Sequence, residues 1–344
     1  IVNASSTGTG LTINTGSGSI TLGSTIGASN ALSSVSLTSS TGINLGGNVS
    51  TVGAQSYTGH VVLTSSVTAT TTNSTVAFSS TVNSAANVGN TASAANPLTV
   101  TSGSGNVTFT GIVGGATNGA LGALAVNTTG TTTFSAAVTA ASVTTDASGT
   151  TAINGGTITT TGAQTYNDAV TLGAATTLTS SSSGAINLAS TVNGAQTLAI
   201  NTAGVTTFGG AVGASTNLTS ITTDATGTVV INGGTVTTTG AQTYNEAVTL
   251  GANTTLAAGS GDVTLSSTVN GAYALTVNST GVTTFGGAIG NTTALTSVTT
   301  NAGGTLVMNG GSVTTTGAQS YGEAVTLGAD TTLKGVNVAF ASTI

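Results

Sequence analysis

One segment of the sequence returns at a nearly fixed interval. Its three clearest copies, TTGAQTYNDAVTLG, TTGAQTYNEAVTLG and TTGAQSYGEAVTLG, begin at Thr160, Thr238 and Thr315. A more diverged copy, GAQSYTGHVVL, begins at Gly53. The interval between the clear copies is about 77–78 residues, and self-similarity at a fixed period is the signature of stacked repeat architectures. The chain is therefore predicted to be an array of repeats and not a set of separate globular domains.

Each long repeat divides into shorter pieces, most of which end near a glycine. From Gln242 the pieces are Gln242–Gly261, Asp262–Gly281, Val282–Gly304 and the short Thr305–Ala318. They open with short runs in which apolar and polar residues alternate, such as DVTLSS and TLVMNG. Strict alternation over so few residues predicts half-buried strands. The Gly and Asn residues between the runs are suited to corners with positive φ. Several short strands in each piece predict one coil of a β-solenoid.

We therefore predict an all-β, parallel β-solenoid of about 17–18 coils, each of roughly 19–20 residues, with neighbouring coils about 4.8 Å apart. It is predicted to be one continuous rod over residues 1–344, with repeat units at approximately 55–163, 164–241, 242–318 and 319–344, the last one partial. Copies of the long repeat are expected to lie four coils apart. The segment Ala85–Pro97 is expected to be a surface loop or an irregular coil, and the mid-pattern start suggests an internal fragment.

The chain carries very little charge, with one Lys, no Arg and seven Asp or Glu in 344 residues. A nucleic-acid-binding surface needs many Lys and Arg side chains to neutralise phosphates. The absence of Cys excludes disulfides and Cys-based zinc sites. Apolar runs are far shorter than the roughly 20 residues of a membrane helix. We therefore expect no nucleic acid, no membrane insertion, no cofactor and no metal.

Few residues are available for catalysis, and they are scattered. His60 would need a nucleophile and an orienting carboxylate, but the nearest Asp or Glu in the sequence is the distant Asp146. Lys334 is expected to be exposed. Solenoid lyases and hydrolases of polysaccharides use clustered acids. The acids nearest in sequence here are Glu246 and Asp262, which stacking could bring onto neighbouring coils. We predict that the chain is not an enzyme.

The carboxylates recur with the repeat. Asp168, Glu246 and Glu323 occupy one repeat position, and Asp146 and Asp224 share another, where Asn301 comes next. A row of carboxylates suggests calcium. Four coils would place about 19 Å between successive members, however, which is too far for one calcium coordination shell. We therefore predict no metal site.

The tyrosines have two interpretations. Tyr166, Tyr244 and Tyr321, together with Tyr57 and Tyr273, either stack on sugars or cover the core at a corner. The repeat register of most of them favours the core.

The GAQTYND/EAVTLGA text and the approximate 19-residue rhythm resemble the repeat regions of large bacterial exoproteins of the filamentous-haemagglutinin type. The likeness extends over most of residues 50–344. It implies a right-handed parallel β-helix, exported by two-partner secretion or as an autotransporter. It further implies an adhesin or a biofilm scaffold at the cell surface. It transfers no binding residue to this chain.

Two functions are consistent with this pattern. The first is the stalk of a giant secreted adhesin, which would contact cell-surface glycans or proteins through other regions. The second is a subunit of an extracellular filament or sheath, whose partners would be neighbouring copies of the chain. The two differ in their ends, because a stalk needs capped end coils and a filament needs complementary ones.

Overall fold

The computed structural model describes residues 2–5, 8–85, 95–115 and 119–344. The regular secondary structure of these residues consists of 41 β-strands without a helix, and the strands pair in parallel. The chain forms two compact units, Ile1–Ala174 and Ala175–Ile344. The strands of each unit are stacked as a β-solenoid, and the two units together contain about 15 turns. The prediction of an all-β parallel solenoid is confirmed.

In the first unit the turns build three stacks of parallel strands. Stack A contains β1 (Leu11–Asn14), β3 (Val35–Thr38), β6 (Gln55–Thr58), β9 (Val76–Phe78), β12 (Val107–Phe109), β14 (Thr131–Phe134), β16 (Thr150–Ile153) and β19 (Ala169–Leu172). Stack B contains β2 (Ile20–Leu22), β4 (Ile43–Leu45), β7 (Val61–Leu63), β10 (Val82–Ser84), Val113, the start of β15 (Val138–Thr145) and β17 (Thr157–Thr160). Stack C contains Val2, Ile26, β5 (Val49–Ser50), β8 (Val67–Thr70), β11 (Leu98–Gly103), β13 (Leu121–Thr128), the end of β15 and β18 (Gln164–Tyr166).

The second unit has the same plan. Stack D contains β20 (Thr176–Ser180), β23 (Thr197–Thr202), β25 (Ser220–Thr223), β28 (Gln242–Tyr244), β31 (Val263–Leu265), β34 (Val282–Phe285), β36 (Thr305–Met308) and β39 (Ala324–Leu327). Stack E contains β21 (Ile186–Leu188), β24 (Val205–Phe208), β26 (Thr228–Ile231), β29 (Ala247–Leu250), β32 (Val269–Asn270), Ile289, β37 (Ser312–Thr314) and β40 (Thr332–Lys334). Stack F contains β22 (Val192–Asn193), Val212, β27 (Thr235–Thr237), β30 (Thr254–Gly259), β33 (Ala274–Ser279), β35 (Ser297–Thr300), β38 (Ala318–Tyr321) and β41 (Asn337–Phe340).

Alternation along each strand separates the core from the surface. In β31 the side chains of Val263 and Leu265 are buried, whereas Thr264 between them faces outward. The same pattern holds in β33, where Leu275 and Val277 are buried. Because successive side chains of a strand point to opposite faces, one short alternating run is enough to supply one wall of a turn.

The turns are fewer than the predicted number of coils, and they vary in length. One register step leads from Ile43 to Val61, whereas a much longer one leads from Val67 to Leu98. The strands keep their register while the corners between them differ in length, which is why the chain makes about 15 turns. The longest turn includes the segment Ala85–Pro97, most of which, residues 86–94, lies outside the described residues.

The long repeat does not span four coils. From Gln242 in stack D, three register steps lead through Val263 and Thr283 to Leu306. The chain then passes along one strand of stack E and reaches Gln319 in stack F. The long repeat therefore covers three turns and two further sides of a fourth. The short final piece of the repeat corresponds to those two sides, and corresponding residues of successive copies lie on different faces.

Four aromatic rings are stacked inside the first unit. Tyr57, Phe78, Phe109 and Phe134 occupy the same position in consecutive strands of stack A. Their ring centroids are 4.8, 5.1 and 5.4 Å apart, and the planes of neighbouring rings are tilted by 7°, 5° and 17°. These separations are close to the spacing of paired strands, so the backbone stacking brings the rings into contact without any rearrangement.

Candidate functional site

The repeated GAQxY text builds a buried hydrogen-bonded corner. In the copy at Gln242, the hydroxyl of Tyr244 donates to Oε1 of Gln242 over 3.1 Å. Nε2 of Gln242 lies 3.0 Å from the carbonyl oxygen of Val236, 3.2 Å from Oγ1 of Thr238 and 2.9 Å from the carbonyl oxygen of Ala257. Ala257 belongs to the next turn. The glutamine side chain therefore links one turn to the next at the corner between stacks F and D.

The other copies repeat this arrangement. Tyrosine hydroxyls lie 2.8, 2.9 and 2.8 Å from the glutamine Oε1 atoms of Gln55, Gln164 and Gln319. Each of these glutamines also donates to a carbonyl oxygen six residues earlier and to a threonine hydroxyl four residues earlier. All four glutamines are fully buried. We name this arrangement the Gln–Tyr corner.

The tyrosines of the repeat are core residues. Tyr57, Tyr166, Tyr244 and Tyr321 have no exposed surface, and burial raises the pKa of each hydroxyl well above its usual value. Their rings are not accessible to a sugar, which confirms the interpretation that they cover the core at a corner. Tyr273 differs, because 39% of its surface is exposed.

Three carboxyl groups also point into the interior. Asp168, Glu246 and Glu323 are only 1%, 3% and 1% exposed. Asp168 accepts hydrogen bonds from the backbone amide of Gly149 over 3.1 Å and from Oγ1 of Thr151 over 2.9 Å. Each lies two residues after a buried tyrosine and two residues before a buried valine, so the alternating text signals its burial, although the sequence was interpreted only in terms of possible metal ligands.

The glutamates have fewer partners than Asp168. Thr223 donates to Oε2 of Glu246, and Oγ1 of Thr283, which lies two turns earlier, is 3.4 Å from Oε1 of Glu323. Oε1 of Glu246 and Oε2 of Glu323 have no hydrogen-bond partner. Across the described residues the other buried side-chain oxygens without a partner are Oγ1 of Thr132, Thr145 and Thr206.

These unpartnered hydroxyls belong to the surroundings of the same carboxyls. Thr132 and Thr206 occupy the repeat position of Thr283, two turns before the carboxyl, and Thr145 occupies that of Thr223, one turn before it. The buried polar groups that remain unsatisfied are therefore concentrated at three equivalent corners. Burial without hydrogen-bond partners destabilises the charged form of a carboxyl group more than its neutral form.

Burial raises the pKa of all three carboxyl groups. It raises the pKa of Glu323 to about 7, against the hydrogen bond from Thr283. For Glu246, burial is also the main cause of the raised pKa, the Thr223 hydrogen bond opposes it, and the charge of Asp224 adds to it. The pKa of Asp168 is raised by burial and, to a smaller extent, by Asp146.

Stacking places Asp262 on the turn after Glu246 but does not bring the two carboxylates together. Asp262 lies beyond the opposite end of the paired strands β28 and β31, where its Oδ1 accepts from the amide of Val282 over 2.7 Å. Asp224, one turn before Glu246, is the carboxylate whose charge acts on it. The signal for this pairing was present in the sequence, because Asp146 precedes Asp168 by the same interval at which Asp224 precedes Glu246.

The remaining ionisable residues do not assemble a site. His60 is half-buried with its ring over Gly42 of the preceding turn, and Lys334 is exposed at the end of β40. Among the described residues, no three His, Cys, Asp or Glu side chains come together as a metal would require. Two pairs of acids do come together, Asp146 with Asp168 and Asp224 with Glu246. However, the side chain of Glu246 is too buried to reach a substrate. That the chain is not an enzyme stays a prediction.

The comparisons with known proteins give no relative. No protein-family model, curated protein or solved structure matches the chain. In the described part of the chain there is no helix with the length and apolar character needed to cross a membrane. The internal geometry of the repeats is therefore the basis for a functional proposal.

The Gln–Tyr corner should contribute strongly to stability. Replacing Gln242 by Leu leaves the Tyr244 hydroxyl and the carbonyl oxygen of Val236 without this partner. Each unsatisfied buried group costs about 1–3 kcal/mol, so we expect Gln242→Leu to lower the free energy of unfolding by at least about 2 kcal/mol. Urea unfolding followed by tyrosine fluorescence measures this change. The control is Gln196→Leu, at a half-buried glutamine outside the corner, where a change within about 0.5 kcal/mol is expected. Equal effects of the two variants would contradict the role of the corner.

The buried carboxyls should make stability depend on pH. An unfolded glutamate loses its proton near about pH 4.3, whereas folded Glu323 retains its proton up to about pH 7. The contribution of Glu323 to the free energy of unfolding is therefore largest below about pH 4.3. It decreases as the pH rises to 7, by up to about 1.4 kcal/mol per pH unit. Urea unfolding at pH 4.5 and pH 7.5 measures the difference. Glu323→Gln should reduce it, and Asp330→Asn, at an exposed carboxylate, should not. A difference that is the same in Glu323→Gln would contradict this assignment.

Proposed function

We propose that this chain is a non-enzymatic, extracellular solenoid stalk of a large cell-surface adhesin. One observation carries the proposal: the residues that define the repeat are structural. The glutamines and tyrosines of the GAQxY text, and the carboxyls that follow them, are buried. A repeat whose signature residues are all internal builds a scaffold, because a repeated binding surface would instead place its signature residues outside.

The surface supports the same role. Outward positions in stack D carry Thr222, Thr243, Thr264 and Thr284 in direct register. With only 8 charged residues in the chain, such faces are hydrated through hydroxyl groups and carry no dense charge. A stalk of this kind acts mechanically, by holding a binding region at a distance. Its targets, cell-surface glycans or proteins, would be reached through other parts of the adhesin.

A structural filament or sheath is the second candidate. Its specific support is the low charge of the chain, with a formal net charge of −6 over 344 residues. Electrostatic repulsion between copies is correspondingly weak, and high net charge is one of the main factors that keep proteins apart in solution. In this case the partners are neighbouring copies of the chain, and the solenoid itself is the functional object.

Sedimentation velocity and electron microscopy of the full chain distinguish the two proposals. A stalk is expected to give single extended particles whose sedimentation coefficient does not change with concentration. A filament subunit is expected to give particles that lengthen as the concentration rises. Repeating the measurement at high salt is the control, because weak charge predicts little change in either case. Compact particles with the frictional ratio of a sphere would contradict both proposals.

A further inference from the structure

An open groove of about 530 Å³ runs along one edge of stack F in the second unit. Its floor is formed by Ala257 and Gly259 of β30. Its sides are formed by the neighbouring turns, with Thr237 and Thr239 on one side and Asn278 and Thr280 on the other. None of the side chains that line it is ionisable.

The register of stack F explains why the groove lies here. Ala257 pairs with Thr237 of the preceding turn and with Asn278 of the following turn. Two residues further on, Gly259 adopts a φ of +57°, at a register shift between β30 and β33. One turn therefore carries only the methyl group of Ala257 at an outward position where both neighbouring turns carry a polar side chain, and Gly259, which pairs with the buried Ser279, adds no side chain beside it. The flanking main chains are two turns, or about 9.6 Å, apart, which leaves an open space above Ala257 between their side chains.

The groups around the groove are available for a ligand. The Thr237 and Thr239 hydroxyls and the Asn278 side-chain amide form no hydrogen bond to any other residue in the described part of the chain. Thr280, in contrast, donates to the carbonyl oxygen of Gly259 over 3.3 Å. A hydroxyl and a primary amide each offer both a donor and an acceptor. The methyl group of Ala257 gives the floor an apolar surface.

We propose that this groove binds one uncharged sugar ring of a neutral glycan. A pyranose has hydroxyl groups around its edge and a C–H face, which correspond to the polar walls and the apolar floor. Anionic sugars are disfavoured, because the lining offers no cation and the chain has a net charge of −6. Such a site lies on the flank of the solenoid, so it goes beyond the proposed stalk function and does not depend on it.

The experiment is a titration of the full chain with a panel of neutral disaccharides, namely maltose, cellobiose, chitobiose, lactose and mannobiose. Binding is followed by NMR of chain labelled at its threonine methyl groups. At least one disaccharide is expected to give saturable shifts at Thr237 and Thr239, with an affinity that does not change between low and high salt. Heparin disaccharide should give none. Asn278→Ala should weaken binding about fivefold, the loss expected for one hydrogen bond.

A matched pair of variants tests the location. Ala257→Leu fills the groove and is expected to abolish binding. Ala125→Leu is the control, because Ala125 is likewise a half-buried outward alanine between threonines, Thr99 and Thr144, on neighbouring turns of stack C. Thermal unfolding establishes that both variants are folded. The proposal is overturned if no neutral disaccharide binds, if only the sulfated one binds, or if Ala257→Leu binds as well as Ala125→Leu does.

Discussion

The parallel pairing of each turn with the next is the constraint on which this structure depends. Paired strands lie about 4.8 Å apart, so every side chain sits directly against the one at the same position a turn earlier. Aromatic rings pack well against one another at this spacing, as the stack from Tyr57 to Phe134 shows. Threonine side chains can also stack at this spacing, as in the series Thr222, Thr243 and Thr264. Like charges directly opposite one another are destabilising, which gives a physical reason for a composition with 2% charged residues.

The length of the repeat determines where the buried polar groups of successive copies lie in the interior. The Gln–Tyr corner and the buried carboxyl that follows it are polar groups inside an aliphatic core. If the repeat contained a whole number of turns, their copies would lie along one edge of the solenoid. Because the repeat spans three turns and two further sides, Gln242 lies in stack D and Gln319 lies in stack F. The hydrogen-bonded links between turns are thereby distributed over different corners.

Much of the fold could be predicted from the sequence, because alternation and periodicity report directly on strands and stacking. The runs at Val263 and Leu275 behave as expected. The number of turns could not be predicted in the same way, since corner length is not encoded by alternation and one turn extends all the way from Val67 to Leu98. The burial of Glu246 could have been predicted from the same alternation, because Tyr244, Glu246 and Val248 are spaced two residues apart and share the buried face. The constant Gln of the GAQxY text was the available clue to the corner, since a surface position tolerates exchange among polar residues.

Disulfide cross-linking tests the stacking register most directly, because the chain contains no cysteine. Thr243 and Thr264 face outward from paired strands on neighbouring turns. A double variant with Thr243→Cys and Thr264→Cys is therefore expected to form an intramolecular disulfide, because its Cα atoms are within bonding range. Ser320 is the repeat counterpart of Thr243 but lies in stack F, so Thr243→Cys with Ser320→Cys should form none. Cross-linking of the second pair, or failure of the first, would contradict the account.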